Sequence, residues 1–371
     1  MYTTNMLTNN DIKNIPLKDL GFNEFFILKR EQLGLTSFPV ARVIAEHKGS
    51  YGVKSEVGEY VARVTGKQMF QASSREDYPA VGDWIATTDP SEGQAAIYKV
   101  LPRKTTIKRK SSNKNEIQII AANVDVTFIV ESVDRDYNLN RFERYFSLVS
   151  GEGMKLAIIL NKIDLISTEA LDLKIAEIKN RFHDIDIIPT STTQNTGLDL
   201  LKNYLEPGKT YCFLGSSGVG KSSLINNLLG ETVAKTADIG VTSDRGKHIT
   251  TSRQMYFLNN GSMVIDNPGM REVGMTYTST NIDDVFDEIA ALSKKCKYKD
   301  CTHTNEQGCA ILLAVAAHEL DKNKYSNYLN LKKEADSNKL ASLRKKEKSR
   351  KFGKFLKQAN DDLKEYGNTG Y

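Results

Sequence analysis

No apolar run in this chain is long enough to cross a bilayer. The longest, Cys309 to Ala317, is nine residues, against the roughly 20 that a membrane helix needs. Residues Met1 to Lys13 are polar and hold no apolar signal core, so a soluble, cytoplasmic protein with no membrane partner is expected. No repeat with a period of about 20–50 residues is visible, which argues against a solenoid or propeller. Cysteine is scarce: Cys212, Cys296, Cys301 and Cys309 are all there is, and three of them fall within residues 296–309. That crowding fits a disulfide framework poorly, and in a reducing compartment it points to metal. With 40% hydrophobic and 26% charged residues, wholesale disorder and collagen-like repetition are also excluded.

What is present suggests several domains. At 371 residues the chain exceeds one ordinary core of about 100–200 residues. Residues 1–37 carry short apolar clusters without a sustained period and read as an irregular or partly helical lead-in. From 38 to 102, five β-branched runs broken by Gly and turn residues predict a small closed barrel of the OB type. Arg103, Lys104, Lys108, Arg109 and Lys110 form a basic stretch without an acid, read as a linker or a solvated charge run. To about residue 280 apolar strands then alternate with amphipathic helices, which predicts an α/β domain with a parallel sheet covered on both faces and ligands at the carboxyl ends of its strands. Residues 281–371 read as helical, interrupted by the cysteine cluster.

Gly215-Ser216-Ser217-Gly218-Val219-Gly220-Lys221-Ser222 follows a strand and, with Ser223, opens a helix. This is the setting of a phosphate-binding loop. Glycines let backbone amides turn inward around the phosphates, Lys221 brings a point charge toward the β and γ groups, and Ser222 offers its hydroxyl to Mg²⁺. Downstream, the strand Met263 to Ile265 ends in Asp266-Asn267-Pro268-Gly269. Alone this is an ordinary turn; after a phosphate loop, Asp266 is where a carboxylate on the Mg²⁺ side belongs, and the amide of Gly269 is placed to sense a γ-phosphate.

Asn161-Lys162-Ile163-Asp164 stands at the end of another strand. A carboxylate in the plane of a guanine accepts from its N1 and N2 hydrogens, whereas adenine has no such donor pair. Lys162 can lie along the ring and Asn161 can brace the site. GTP and GDP are the predicted ligands, and an ATP-using kinase or ATPase is disfavoured. Thr190-Ser191-Thr192, after a further strand, is a candidate for the other wall of the base pocket. In the third motif, Cys296-x₄-Cys301-x-His303-x₅-Cys309 offers three thiolates and one imidazole, the complement of a closed tetrahedral structural Zn²⁺ site with no position left for a catalytic water. Buried, unliganded cysteines are the plainer alternative.

In most small GTPases the phosphate loop precedes the guanine motif; here the motif at 161 precedes the loop at 215, and Asp266 comes last. In this the chain resembles the circularly permuted GTPases, in particular the bacterial family that depends on the small ribosomal subunit and acts in ribosome maturation. The resemblance covers residues from about 38 to about 355 and implies an OB barrel, a permuted GTPase and a zinc-binding helical domain. It also implies hydrolysis of GTP stimulated by the small ribosomal subunit. Where many GTPases carry a water-orienting glutamine after the Pro-Gly turn, this chain has Met270, which cannot orient water. Arg245-Gly246-Lys247-His248-Ile249-Thr250-Thr251 resembles the family's Arg-Gly-Arg-His-Thr-Thr element, which implies His248 in hydrolysis and Thr250 as the switch residue. Lys247 and Ile249 depart from that pattern, so the choice between Thr250 and Thr251 stays open.

Finally, Leu331 to Gln358 holds eleven Lys or Arg against three acids. The net charge of the whole chain is +5, so this segment outweighs a slightly acidic remainder. With its spaced apolar residues it reads as a basic amphipathic helix, suited to nucleic acid or to an acidic membrane surface. Joined to the barrel and the resemblance, rRNA of the small subunit is the expected partner, and the chain is expected to be a monomer. A GTP-gated RNA-binding protein with incidental hydrolysis is the alternative.

Overall fold

Asn23 sets the first helix: its side-chain oxygen accepts the amide of Phe25, capping α1 (Glu24–Gln32). The computed structural model describes residues 15–47, 49–66, 72, 74–110, 117–134, 137–151, 153–230, 253–266, 279–337 and 339–340. They divide into two compact units, one of residues 1–111 and 116–275 and one of 112–115 and 276–371.

In the first unit the segment expected to be an irregular or partly helical lead-in holds α1. Phe22 and Phe26 pack on the buried indole of Trp84, fastening the helix to the barrel. The barrel strands are β1 (Val40–His47), β2 (Ser50–Ser55), β3 (Gly58–Val64), β4 (Trp84–Thr87) and β5 (Gln94–Val100). β1, β2 and β3 form an antiparallel meander; β5 lies parallel to β3 and antiparallel to β4, and β4 pairs back to β1, closing the ring. Alternate residues Tyr51, Val53 and Ser55 of β2 point inward, the period-2 pattern of a strand with one wet face. The basic stretch expected to be a linker is partly a strand: β6 (Thr106–Lys110) pairs antiparallel with β7 (Ile117–Ala122). A run of charges after Ile107, Lys108 to Lys110, satisfies a two-stranded ribbon as readily as a coil, so composition alone misleads there.

The remaining strands build the α/β part: β8 (Val126–Ser132), β9 (Lys155–Asn161), β10 (Asp186–Thr190), β11 (Thr210–Leu214), β12 (Gln254–Phe257) and β13 (Met263–Asp266). Helices α2 (Leu139–Val149), α3 (Thr168–Arg181), α4 (Leu198–Tyr204) and α5 (Lys221–Leu229) connect them. The spatial order is β10-β9-β8-β11-β13-β12, parallel from β10 to β13 with β12 antiparallel. Every residue of β8 and β11 is buried, as strands covered on both faces must be. β12 continues into the barrel by pairing with β1 at Ala45 and Gln254, so one eleven-stranded sheet runs through the unit. Arg42 of β1 is buried at this junction; it donates to the carbonyls of Leu20 and Asn123 and to the Thr210 hydroxyl. Burial pulls its guanidinium down to about 10.

The second unit is helical: α6 (Ser279–Val285), α7 (Asp287–Ser293), α8 (Ala310–Ala316) and α9, over 322–337. Ile282, Phe286, Ile289, Ile311, Leu320, Tyr328 and Leu331 are buried, and the Phe286 and Tyr328 rings meet edge to face. The basic segment expected from 331 lies outside the described residues beyond 340.

Candidate nucleotide and metal sites

Because β8, β9, β10, β11 and β13 run parallel, their carboxyl ends share one edge of the sheet. Register puts Thr190, Asn161 and Ser132 side by side there, and Asp266 opposite Phe213, one residue before the end of β11. The chain turns sharply after β11. A Cβ on Gly215, whose φ is 155°, would lie 2.2 Å from the carbonyl oxygen of Val130, so only glycine fits. Residues 215–220 then curl into α5, whose first turn carries Lys221, Ser222 and Ser223. Lys221 is 7% exposed and folds back on its own loop, donating from Nζ to the carbonyls of Gly215 and Ser216 at 2.7 and 2.6 Å. Burial pulls its ammonium down to about 8, opposed by the charges of Asp266 and Glu131. Burial likewise raises the Asp266 carboxyl, with Lys221 acting against the rise. Asp266 Oδ1 is buried with no hydrogen-bond partner among the described residues. A cation and an acceptor are thus held out of water at the head of the loop, an arrangement chemically suited to phosphate and a divalent ion.

The Asn161–Asp164 tetrapeptide meets this loop directly. Asn161 Nδ2 donates to the carbonyl of Val219 at 2.8 Å, and its Oδ1 accepts from Thr190 Oγ1 at 3.0 Å. Gly220 makes room: at φ 100°, a Cβ there would sit 2.2 Å from Asn161 Nδ2. Lys162 adopts a left-handed φ of 62° and pairs with Asp134 at 3.1 Å. Asp164, in a short turn over Ile163–Leu165, accepts from Ser191 Oγ at 2.5 Å. Asn161, Lys162, Ile163 and Asp164 therefore stand beside Gly215 to Ser223, with Thr190 and Ser191 of the expected second wall bonded to them. Asp134 and Glu131 were missed in the sequence. Glu131 lies near the end of β8 and Asp134 two residues past it, where no local motif marks them; only the packing of β8 between β9 and β11 brings them in. His248, Thr250 and Gly269 fall outside the described residues.

In the second unit, Cys296, Cys301, His303 and Cys309 present four ligand atoms within 4.8 Å of one another, a group able to hold a metal ion. Cys296 Sγ and Cys309 Sγ are 3.8 Å apart, and each lies 3.6 Å from His303 Nδ1. His303 has a left-handed φ of 62°. Its carbonyl accepts from the Tyr325 hydroxyl, and Glu306 accepts the amides of Thr302, Thr304 and Asn305 around it.

A family model described as RsgA GTPase matches residues 100–276. A protein of Lactiplantibacillus plantarum named small ribosomal subunit biogenesis GTPase RsgA 2 is 40% identical over 80% of this chain and 83% of its own. The chain belongs to the RsgA family of GTPases. GTP hydrolysis is accordingly its activity. A second relative, small ribosomal subunit biogenesis GTPase RsgA of Methanosarcina acetivorans, is 44% identical over 68% of this chain and 69% of its own. Among solved structures, YjeQ from Thermotoga maritima matches with a TM-score of 0.60 and 25% identity, over 80% of this chain and 98% of that one. YloQ, a circularly permuted GTPase, matches in fold with a TM-score of 0.57 at 21% identity, over 81% and 96%. A further model, described as 50S ribosome-binding GTPase, matches residues 210–345. It starts on the strand that carries the phosphate loop and leaves out the tetrapeptide at 161–164, as a reversed motif order requires. The expected architecture, an OB-like barrel, a circularly permuted GTPase and a C-terminal cluster of three cysteines and a histidine, is the one found.

Proposed function

We propose that this GTPase acts in late maturation of the small ribosomal subunit: the GTP form binds the subunit, the subunit stimulates hydrolysis, and the GDP form releases it. The single observation that carries the nucleotide assignment is the bond from Asn161 to the Val219 carbonyl. It joins the base motif and the phosphate loop into one pocket. The ribosomal part rests on the names of the relatives, small ribosomal subunit biogenesis GTPases.

In this reading the amides of residues 215–223 cradle the phosphates, and Lys221 leaves its own loop carbonyls for the β and γ oxygens. Asp164 reads guanine N1 and N2. Ser222 and the orphaned acceptor of Asp266 fit Mg²⁺ in chemistry, which when bound neutralises charge on the γ-phosphate and the leaving oxygen. His248 orients the attacking water, with Thr250 and Gly269 sensing the γ-phosphate. Water forms the new bond to phosphorus as the bond to the β–γ bridging oxygen breaks.

The cysteine-histidine group is assigned to structural Zn²⁺. Metal-ligand distances of about 2.3 Å for sulfur and about 2.0–2.1 Å for nitrogen give tetrahedral edges of about 3.8 and about 3.6 Å, which the separations among Cys296, His303 and Cys309 match, with all four ligand atoms within 4.8 Å. The positive segment beyond Leu331 and the barrel are the proposed rRNA contacts, in a monomer that works in the cytoplasm.

Steady-state phosphate release from GTP, measured with and without purified small subunits over a salt series, tests the proposal. A rise with subunits that fades with salt is expected; no rise would leave RNA binding with incidental hydrolysis. His248→Ala should lose the stimulated rate while GDP affinity holds.

A further inference from the structure

Asp134 belongs to none of the nucleotide motifs. It follows β8 by two residues, at the carboxyl edge where the pocket forms. Ser132, in register with Asn161, donates from Oγ to Asp134 Oδ1 at 2.8 Å. The other carboxylate oxygen pairs with Lys162 Nζ at 3.1 Å. Lys162 is thereby held at both ends. Its neighbour Asn161 is fixed to Val219 and Thr190, its own φ is 62°, and its ammonium is tethered to Asp134. A lysine stem left free would sample many rotamers, and a ligand that used it would have to order it.

We propose that Asp134, oriented by Ser132, is a positioning residue for guanine binding: it draws the Lys162 ammonium past the base so that the four-carbon stem already lies across the face the purine will occupy. This deepens the proposed function and rests on Asn161–Asp164 being the guanine reader. The two side chains are 24% and 26% exposed, so the pair is partly screened and its contribution is modest. We expect about a fivefold effect on affinity, which is about 1 kcal/mol at 25 °C.

The test is calorimetric titration of the full chain with GDP, IDP and ADP. The unaltered protein should bind GDP and not ADP; if it does not, the guanine assignment fails, and this role with it. Given that preference, Asp134→Ala and the near-isosteric Asp134→Asn should each weaken GDP about fivefold and leave the ratio of GDP to IDP affinity unchanged, because the N2 edge is read by Asp164. In a Lys162→Met background, which keeps the stem and removes the charge, the same substitutions should cost nothing further. Full GDP affinity in Asp134→Asn, an equal loss in both backgrounds, or an altered GDP to IDP ratio would each overturn the proposal.

Discussion

The side-chain amide of Asn161 reaches the carbonyl of Val219, 58 positions later in the chain, at 2.8 Å. One hydrogen bond thus braces the phosphate loop from the strand that bears the base motif. Gly220, packed against that amide, has no space for a side chain.

Both ends of this contact are open to substitution. Asn161→Ala leaves the Val219 carbonyl and the Thr190 hydroxyl without their partner, at about 1–3 kcal/mol, and GDP affinity should fall about tenfold or more. Gly220→Ala forces a Cβ into the Asn161 amide and should weaken GDP at least as much. Equilibrium titration with a fluorescent guanine nucleotide reads both.

Lys221 predicts a pH dependence. Its ammonium titrates near 8 in the folded, nucleotide-free protein and near 10.5 when unfolded. Between these values the unfolded chain binds more protons, so stability should rise with pH from about 8 to about 10.5. Below that window the buried charge costs its full penalty. Phosphates favour the charged form, so GDP binding above pH 8 should take up a proton and weaken as pH increases. Urea unfolding on both sides of pH 8, and calorimetry in buffers of differing ionisation enthalpy, check the two halves. Lys221→Met should abolish the pH trend, stabilise the nucleotide-free protein by about 1–3 kcal/mol near neutral pH, and eliminate GDP binding.

Removal of metal should act on the second unit alone. Chelation, or Cys309→Ser, should take away the ion proposed to be held by the four ligands of residues 296–309, and the helices over 279–337 should then lose helical signal and become sensitive to trypsin. Every described residue of the nucleotide site lies in the other unit. GDP affinity should accordingly stay within about twofold. Circular dichroism, proteolysis and titration on one preparation separate these effects.

Arg42→Ala should be among the most destabilising substitutions in the first unit. It strips donors from the Leu20 and Asn123 carbonyls and the Thr210 hydroxyl and opens a cavity beside Trp84, together about 3–5 kcal/mol. Arg42→Lys should recover only part, since an ammonium lacks the guanidinium fork. Urea unfolding measures both.

The motifs and fold class were legible in sequence because each depends on local chemistry. The glycines and lysine of 215–221, the tetrapeptide at 161–164 and the spacing of Cys296, Cys301, His303 and Cys309 require particular residue types at short range, and strand and helix periods announce themselves within a dozen residues. Even the permuted order was readable, since it is a property of order along the chain. Tertiary structure alone decided what depends on contacts between distant segments: the bond from Asn161 to Val219, the tether of Lys162 to Asp134, the closing of β4 on β1, and the running of β12 into the barrel. Packing also fastened α1 to Trp84 and drew Arg42 into the junction. A buried arginine or a solitary aspartate after a strand carries no local signature; its partners are chosen by which backbones the sheet places side by side, and that choice is made only when the whole core closes.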